Sequence, residues 1–428
     1  MKQVFAACLL AWAGLFWMAA EARGSGPITD PGVKVSVRDR NSCLECHDAV
    51  TAKTLEASPH ARLSCLVCHP LASKTPHDDR PPVNCQACHP RHGEAQAHDA
   101  HLSVTCQACH FEDVVPVRDA GTGRVGWRAA SITGRRFQAH ALAAVGREEA
   151  CRRCHAAGNT VGAAAAVLPA KSILCLACHP ATLAVGDTVT IISLAIFFLG
   201  LVWLGPVWFS GGRSQEKYRG HEFSVGAAAV LTTAFYDVLL QRRLWRQSPR
   251  RWAIHGLIFQ GMLWRFLWGL AALILSRIHP EGRLAWVLLD VNVPLTAFLF
   301  DLTGVMIVLG VLLAWRHRAR PGLPPPDGLP RPDWWALGLL GGSVVLGFIV
   351  EGTRIAMTGA PPGSGFAFLG AAVSRLLIGR SGLTELYPWL WYVHAGLWGA
   401  FVAYIPFSRL LHIVLAPVVL IVNAVRGR

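Results

Sequence analysis

Twelve of the thirteen cysteines fall into six C-x-x-C-H motifs. These are Cys43-Cys46-His47, Cys65-Cys68-His69, Cys85-Cys88-His89, Cys106-Cys109-His110, Cys151-Cys154-His155 and Cys175-Cys178-His179. The spacing has a mechanical meaning. Two thiols three positions apart add to the two vinyl groups of one haem, and the histidine that follows reaches the iron. Three other chemistries use paired cysteines. Disulfide frameworks do not set a histidine after every second cysteine. Zinc sites take two pairs per metal and need no following histidine. Thioredoxin-like redox motifs occur singly. The pattern therefore predicts six covalent haem c groups, with His47, His69, His89, His110, His155 and His179 as proximal iron ligands.

A bis-histidine iron needs a second imidazole. Six histidines precede residue 186 outside the motifs: His60, His77, His92, His98, His101 and His140. One for each predicted haem, they are the expected distal ligands, with no pairing readable from spacing. Further along, His255, His394 and His412 lie in apolar surroundings, where a histidine is expensive and usually functional. His255 begins one apolar stretch and His412 ends another. Their matched depth on separate helices predicts a b-type haem between them. Read on one continuous helix, His394 lies five turns from His412, near the opposite surface. It shares that outer half with Arg265, Glu351 and Arg354, and Asp301 lies mid-span. A carboxylate or imidazole that takes a proton, with an arginine that orients a ring oxygen, would make a quinol pocket. A structural ion-pair network is the competing reading.

The elements that must position these residues follow from composition. The 428-residue chain is 53% hydrophobic and only 15% charged, too apolar for an ordinary soluble protein. Residues 1–22 read as a signal peptide: Lys2, an apolar stretch from Val4 to Met18, then Ala20-Glu21-Ala22. Residues 23–186 are polar and rich in Cys and His. Their motif starts lie 22, 20, 21, 45 and 24 residues apart, with an insert rich in Gly and Arg from Val114 to Arg147. Such short intervals cannot each build a hydrophobic core, so haems must serve as the core of a loop-rich domain. Residues 187–428 hold five apolar stretches: Asp187–Phe209, Trp252–Ser276, Asp290–Trp315, Trp334–Met357 and Pro388–His412. Each is long enough for the ~30 Å of a bilayer core. An amphipathic helix, about Phe223–Leu240, is expected to rest at the interface.

The formal charge of +14 comes largely from arginines beside the apolar stretches, such as Arg242, Arg243, Arg246, Arg316, Arg318 and Arg320. This is the positive-inside bias of a membrane protein, not a nucleic-acid surface. It predicts an outside N-terminal domain and an inside C-terminus. The expected fold is mainly α, a multihaem c-type domain followed by a five-helix transmembrane bundle. The expected place is the bacterial cytoplasmic membrane, with the haem c domain in the periplasm.

The first domain resembles the periplasmic multihaem cytochromes of bacterial respiration in its motif and spacing. The second resembles the b-type gamma subunit of respiratory nitrate reductases and related subunits of sulfate-reducer redox complexes. That likeness is carried by Arg251-Trp252-Ala253-Ile254-His255-Gly256, by Trp391-Tyr392-Val393-His394 and by Ile405-Pro406-Phe407-Ser408-Arg409-Leu410-Leu411-His412. It implies two b haems: His255 and His412 match the cytoplasmic-side haem, and His394 matches one ligand of the outer haem. The other outer ligand would fall at Arg265, so the count of b haems is one or two. The expected role is respiratory electron transfer, as a quinol:cytochrome oxidoreductase or an electron-transfer subunit. Its expected partners are the lipid bilayer, menaquinol or ubiquinol, a periplasmic cytochrome or reductase, and other subunits of a respiratory complex. A multihaem reductase of a small nitrogen or sulfur oxide is the alternative. It would need one iron with an open position.

Overall fold

A computed structural model describes residues 43–44, 47, 58, 60–69, 72, 83–85, 88–89, 101, 103–131, 140–142, 147–210, 227–279, 282–318 and 333–425. The expected signal peptide, Cys46, and the expected distal ligands His77, His92 and His98 lie outside the described residues. The chain divides into two compact units, one reaching Ala163 and the other running from Ala164 to Arg428. The sixth cysteine motif, Cys175-Cys178-His179, groups with the second unit. The physical reason is packing, since Leu174, Ala177 and Cys178 lie against that unit's buried core of Ile307, Val311, Leu340, Val344, Trp398 and Phe401.

In the first unit two of the motifs lie on short helices. Helix α1 is Cys65–Cys68, capped by Ser64, and α2 is Cys106–His110. The expected insert forms a hairpin of β1, Val114–Arg118, and β2, Val125–Ala129, in register from Val114 opposite Ala129 to Arg118 opposite Val125. Phe111 packs edge-on to Trp127 at 4.9 Å. Helix α3, Arg147–Arg152, carries the first cysteine of the fifth motif. Arg153 donates to the carbonyls of Cys109 and Phe111 at 3.2 and 2.6 Å, which ties the fourth motif to the fifth. A histidine or cysteine thus sits on a turn held by backbone bonds, as a domain with little apolar core requires.

The second unit is helical. A 3-10 turn, Ile173–Ala177, precedes α4, Thr188–Ser210. Helix α5, Ala227–Thr233, continues as a π turn, Ala234–Leu239. Then come α6, Arg242–Gln247, and α7, Pro249–Ile278. Helices α8, Arg283–Leu289, α9, Pro294–Arg318, and α10, Trp334–Met357, follow. Last are α11, Phe368–Leu377, α12, Leu383–Tyr404, and α13, His412–Val425. Starts are set by caps: Ser248 accepts from the Arg251 amide with Pro249 in the first turn, and Asp333 accepts from Ala336. Glycines let the helices close. A Cβ at Gly261 would meet Ile307 of α9 at 2.7 Å, and one at Gly310 would meet Ile258 of α7 at 2.6 Å.

Among the described residues, three segments are long and apolar enough to cross a membrane: Pro249–Ile278, Arg283–His317 and Trp334–Met357. A fourth is counted if Leu383–Phe407 and Arg409–Asn423 are taken together, although they bend by 82°. Thr188–Leu204 is a shorter apolar helix by the same measure. The chain is therefore a mainly helical, multi-pass membrane protein; five spans were expected, and three or four segments meet this measure among the described residues. The last expected span, Pro388–His412, is not one helix. Pro406 has no amide hydrogen to donate, and Ser408 is extended, with φ −125° and ψ 173°, and caps Leu410. The five-turn separation expected between His394 and His412 therefore does not hold.

Candidate functional site: paired imidazoles

Among the described residues, ten histidines meet in five pairs. In the first unit, the His60 and His89 rings lie 5.5 Å apart with their Nε2 atoms facing at 3.3 Å. His69 and His140 lie 6.1 Å apart, and His101 and His155 lie 6.2 Å apart. His140 also lies within electrostatic reach of His47. In the second unit, His255 and His412 lie 6.0 Å apart, and His179 and His394 lie 6.5 Å apart. The separation has a chemical meaning. An iron held between two imidazoles, with bonds of about 2 Å on each side, sets the ring centres roughly 6 Å apart. Four of the pairs match this, and His60 and His89 need part only by a fraction of an ångström. The histidines that close four of the C-x-x-C-H motifs thus meet a second imidazole.

The ring nitrogens of the three membrane histidines are also sorted. His394 Nδ1 is 3.0 Å from the Ser343 carbonyl. His412 Nδ1 is 2.6 Å from the Arg409 carbonyl. His255 Nδ1 is 3.0 Å from Gln241 Oε1. A backbone carbonyl only accepts, so Nδ1 of neutral His394 and His412 carries the proton and their Nε2 keeps its lone pair. A metal-ligating histidine is held in this way by an outer hydrogen bond. Gln241 is a residue that sequence reasoning missed. It is 8% exposed and adopts the left-handed φ of 54°, uncommon for a residue other than glycine. Strained backbone persists where the surroundings require it. Next to it, burial pushes the Asp237 carboxyl up, but Arg242 and Arg243, at 3.0 and 3.2 Å, outweigh that and hold it below the usual carboxylate range.

Among the described residues, no group of three or more His, Cys, Asp and Glu side chains converges to hold a metal ion. Convergence of that kind is what a zinc site would need. Two facing imidazoles offer two nitrogen ligands to a single ion.

The expected quinol-pocket residues fall into two groups. Arg265 donates to Thr303 Oγ1 at 3.0 Å and to the Phe300 carbonyl, so α9 holds it. Arg354 donates to Asn292 at 3.0 Å and lies 3.9 Å from Glu351. Asp301, fully buried, accepts from the Leu369 amide at 2.6 Å at the start of α11. Asp301 and Glu351 also interact directly. The carboxylates and arginines therefore form a connected network across α7, α9 and α10. The His394 ring faces His179, and Arg265 lies within electrostatic reach of both His394 and Cys178.

The fold and site together describe a helical, multi-pass membrane protein in which imidazole rings face one another in pairs. Among curated proteins the chain is similar to the subunit designated E of dihydromethanophenazine:CoB–CoM heterodisulfide reductase. The match to the protein of Methanosarcina acetivorans is 24% identical and covers 54% of this chain and 75% of the relative. That to Methanosarcina thermophila is 24% identical and covers 54% and 88%. The expected likeness was to nitrate reductase gamma subunits and related subunits of sulfate-reducer redox complexes; the similarity found is likewise to a subunit of a redox enzyme, the heterodisulfide reductase. No family model matches the chain, and no solved structure does.

Proposed function

We propose that this protein is a membrane electron-transfer cytochrome that exchanges electrons with a lipid-soluble quinol through one b haem and six c haems. The observation that carries the reading is the set of five imidazole pairs at 5.5–6.5 Å, four of which include the histidine of a C-x-x-C-H motif. The residues fit the groups. Cys43, Cys46, Cys65, Cys68, Cys85, Cys88, Cys106, Cys109, Cys151, Cys154, Cys175 and Cys178 would attach haem c. His255 and His412 would hold haem b. The haems supply one-electron chemistry when bound.

The chain's own residues do the rest. Glu351, paired with Asp301, takes a proton from a ring hydroxyl. Arg354 and Arg265 offset the charge that the two carboxylates bring into the apolar interior. Oxidation of one quinol releases two electrons and two protons, so the network must pass protons outward while electrons leave one at a time. The basic loops support a cytoplasmic C-terminus and an outside c domain, in the periplasm of a bacterial cytoplasmic membrane. The relatives favour a specific form of this role. They are subunits of a multi-subunit redox enzyme whose name includes a reduced phenazine, a two-electron ring carrier as a quinol is. This supports a chain that works as the electron-transfer subunit of a larger complex, with further subunits or a periplasmic cytochrome as acceptor or donor.

Intact mass and a pyridine haemochrome assay on the purified protein test the reading. The expected result is a mature chain heavier by six haems, one for each motif, with non-covalent haem b in addition. A mass that corresponds to disulfides without haem would end it.

A further inference from the structure

We infer that the outer haem of the membrane unit is the sixth c haem itself, attached through Cys175 and Cys178 and ligated by His179 and His394. The inference rests on the proposed function, since it takes the C-x-x-C-H motif as a haem site. The two rings lie 6.5 Å apart and are nearly parallel, 21° between planes. His394 has its Nδ1 on the Ser343 carbonyl, so its Nε2 is the ligating atom.

The surroundings are built to bring a cysteine motif into the helices. The Trp398 indole of α12 donates to the Leu174 carbonyl at 2.6 Å. Thr190 of α4 donates to Ser172 at 2.5 Å, and the Ile173 amide to Ala184 at 3.1 Å. Two glycines make the room. A Cβ at Gly269 of α7 would stand 3.1 Å from the carbonyls of both Leu176 and His179. A Cβ at Gly347 of α10 would stand 3.3 Å from His394 Cε1. The sixth motif is thus seated between α7 and α12, facing the histidine that the resemblance assigns to an outer b haem.

This accounts for Arg265, which occupies the position where that outer haem would need a histidine. The second imidazole comes from His179 instead, and Arg265 is spent on Thr303 and Phe300. The expected one-to-one count of distal ligands changes with it. If His394 serves the sixth iron, His60, His101 and His140 face His89, His155 and His69. His77, His92 and His98 then remain for the irons of His47 and His110, one more than needed. His394 is a ligand and not a proton acceptor for quinol. One b-haem site and one c-haem site share a single unit, so electrons leave the bundle on a haem covalently joined to the exported chain.

The test uses the full chain in detergent, with His394→Ala and His394→Met. Both should keep six covalent haems by mass and an unchanged haem b content. In His394→Ala, one of the six c haems should become high-spin by electron paramagnetic resonance and return to low-spin with added imidazole. In His394→Met, one c haem should stay low-spin with a raised reduction potential, as a His/Met ligand set gives. Six covalent haems that all stay low-spin in His394→Ala would overturn the inference, and so would loss of a b haem. Should neither variant accumulate, the unmodified protein decides: one b haem per six c haems supports the assignment, and two b haems overturn it. A protein without the six-haem mass would instead sink the proposed function, so the two failures are distinct.

Discussion

At the scale of single residues, the membrane histidines are distinguished by what their Nδ1 atoms touch. His255 and His412 come from different helices, and each spends its Nδ1 on a local partner, the Gln241 side-chain amide or the Arg409 carbonyl. Replacing either by alanine should abolish the haem b absorbance while every c haem remains, because thioether bonds do not depend on these helices. Difference spectra of the variants check this. Gln241→Leu removes only the outer hydrogen bond. It should weaken haem b retention roughly 10- to 100-fold, in line with outer-shell ligand support, as haem transfer to apomyoglobin would show. Glu351→Gln keeps shape and loses the proton acceptor. Quinol oxidation should fall by about 10²- to 10⁴-fold with the haem spectrum unchanged. Loss of haem in that variant would mean that Glu351 is structural.

Elements explain why these residues meet. Helix α12 ends at Tyr404, and the turns Ile405–Phe407 and Arg409–Leu411 redirect the chain into α13. That 82° bend is what lets His412 face His255 of α7. The 3-10 turn Ile173–Ala177 is held by α7 and α12 in a similar way, through Gly269 and Trp398. Gly269→Val would drive a branched side chain into two carbonyls already at contact distance. Thermal melting in detergent should show a loss of about 1–3 kcal/mol from overpacking. Trp398→Phe keeps the ring and removes the donor to Leu174. It should cost a similar ~1–3 kcal/mol for an orphaned buried carbonyl. A melting temperature unchanged in both would show that the turn is not held by these contacts.

On the scale of the whole molecule, the division falls between Ala163 and Ala164, ahead of the sixth motif. A protease site placed at that junction tests what each unit holds. After cleavage, the membrane fragment should retain one covalent haem and haem b, both low-spin, because all four ligands, His179, His394, His255 and His412, lie in it. The released fragment should carry five haems. A membrane fragment whose covalent haem turned high-spin on cleavage would place its distal ligand in the other unit.

The sequence by itself determined which chemistry to expect. Six C-x-x-C-H motifs are local patterns, and no folding is needed to read that two thiols and an imidazole stand in the order a covalent haem requires. The apolar stretches and the arginine bias are equally local, since a bilayer selects on length and charge. The start of α10 at Trp334 could be read from sequence because Asp333 caps it and apolar residues follow. Partnership was a different matter. Nothing near His394 in the chain points to His179, and only packing of the 3-10 turn against α7 and α12 brings them together. The bend after Tyr404 escaped notice because a proline in an apolar run is tolerated in many helices. Here, the extended Ser408 turns it into a break. Gln241 carried no signal, because a glutamine in a basic loop looks like solvated surface until tertiary structure buries it against His255. Local order is written in neighbouring residues, whereas long-range ligand pairs are fixed by which surfaces can close on one another.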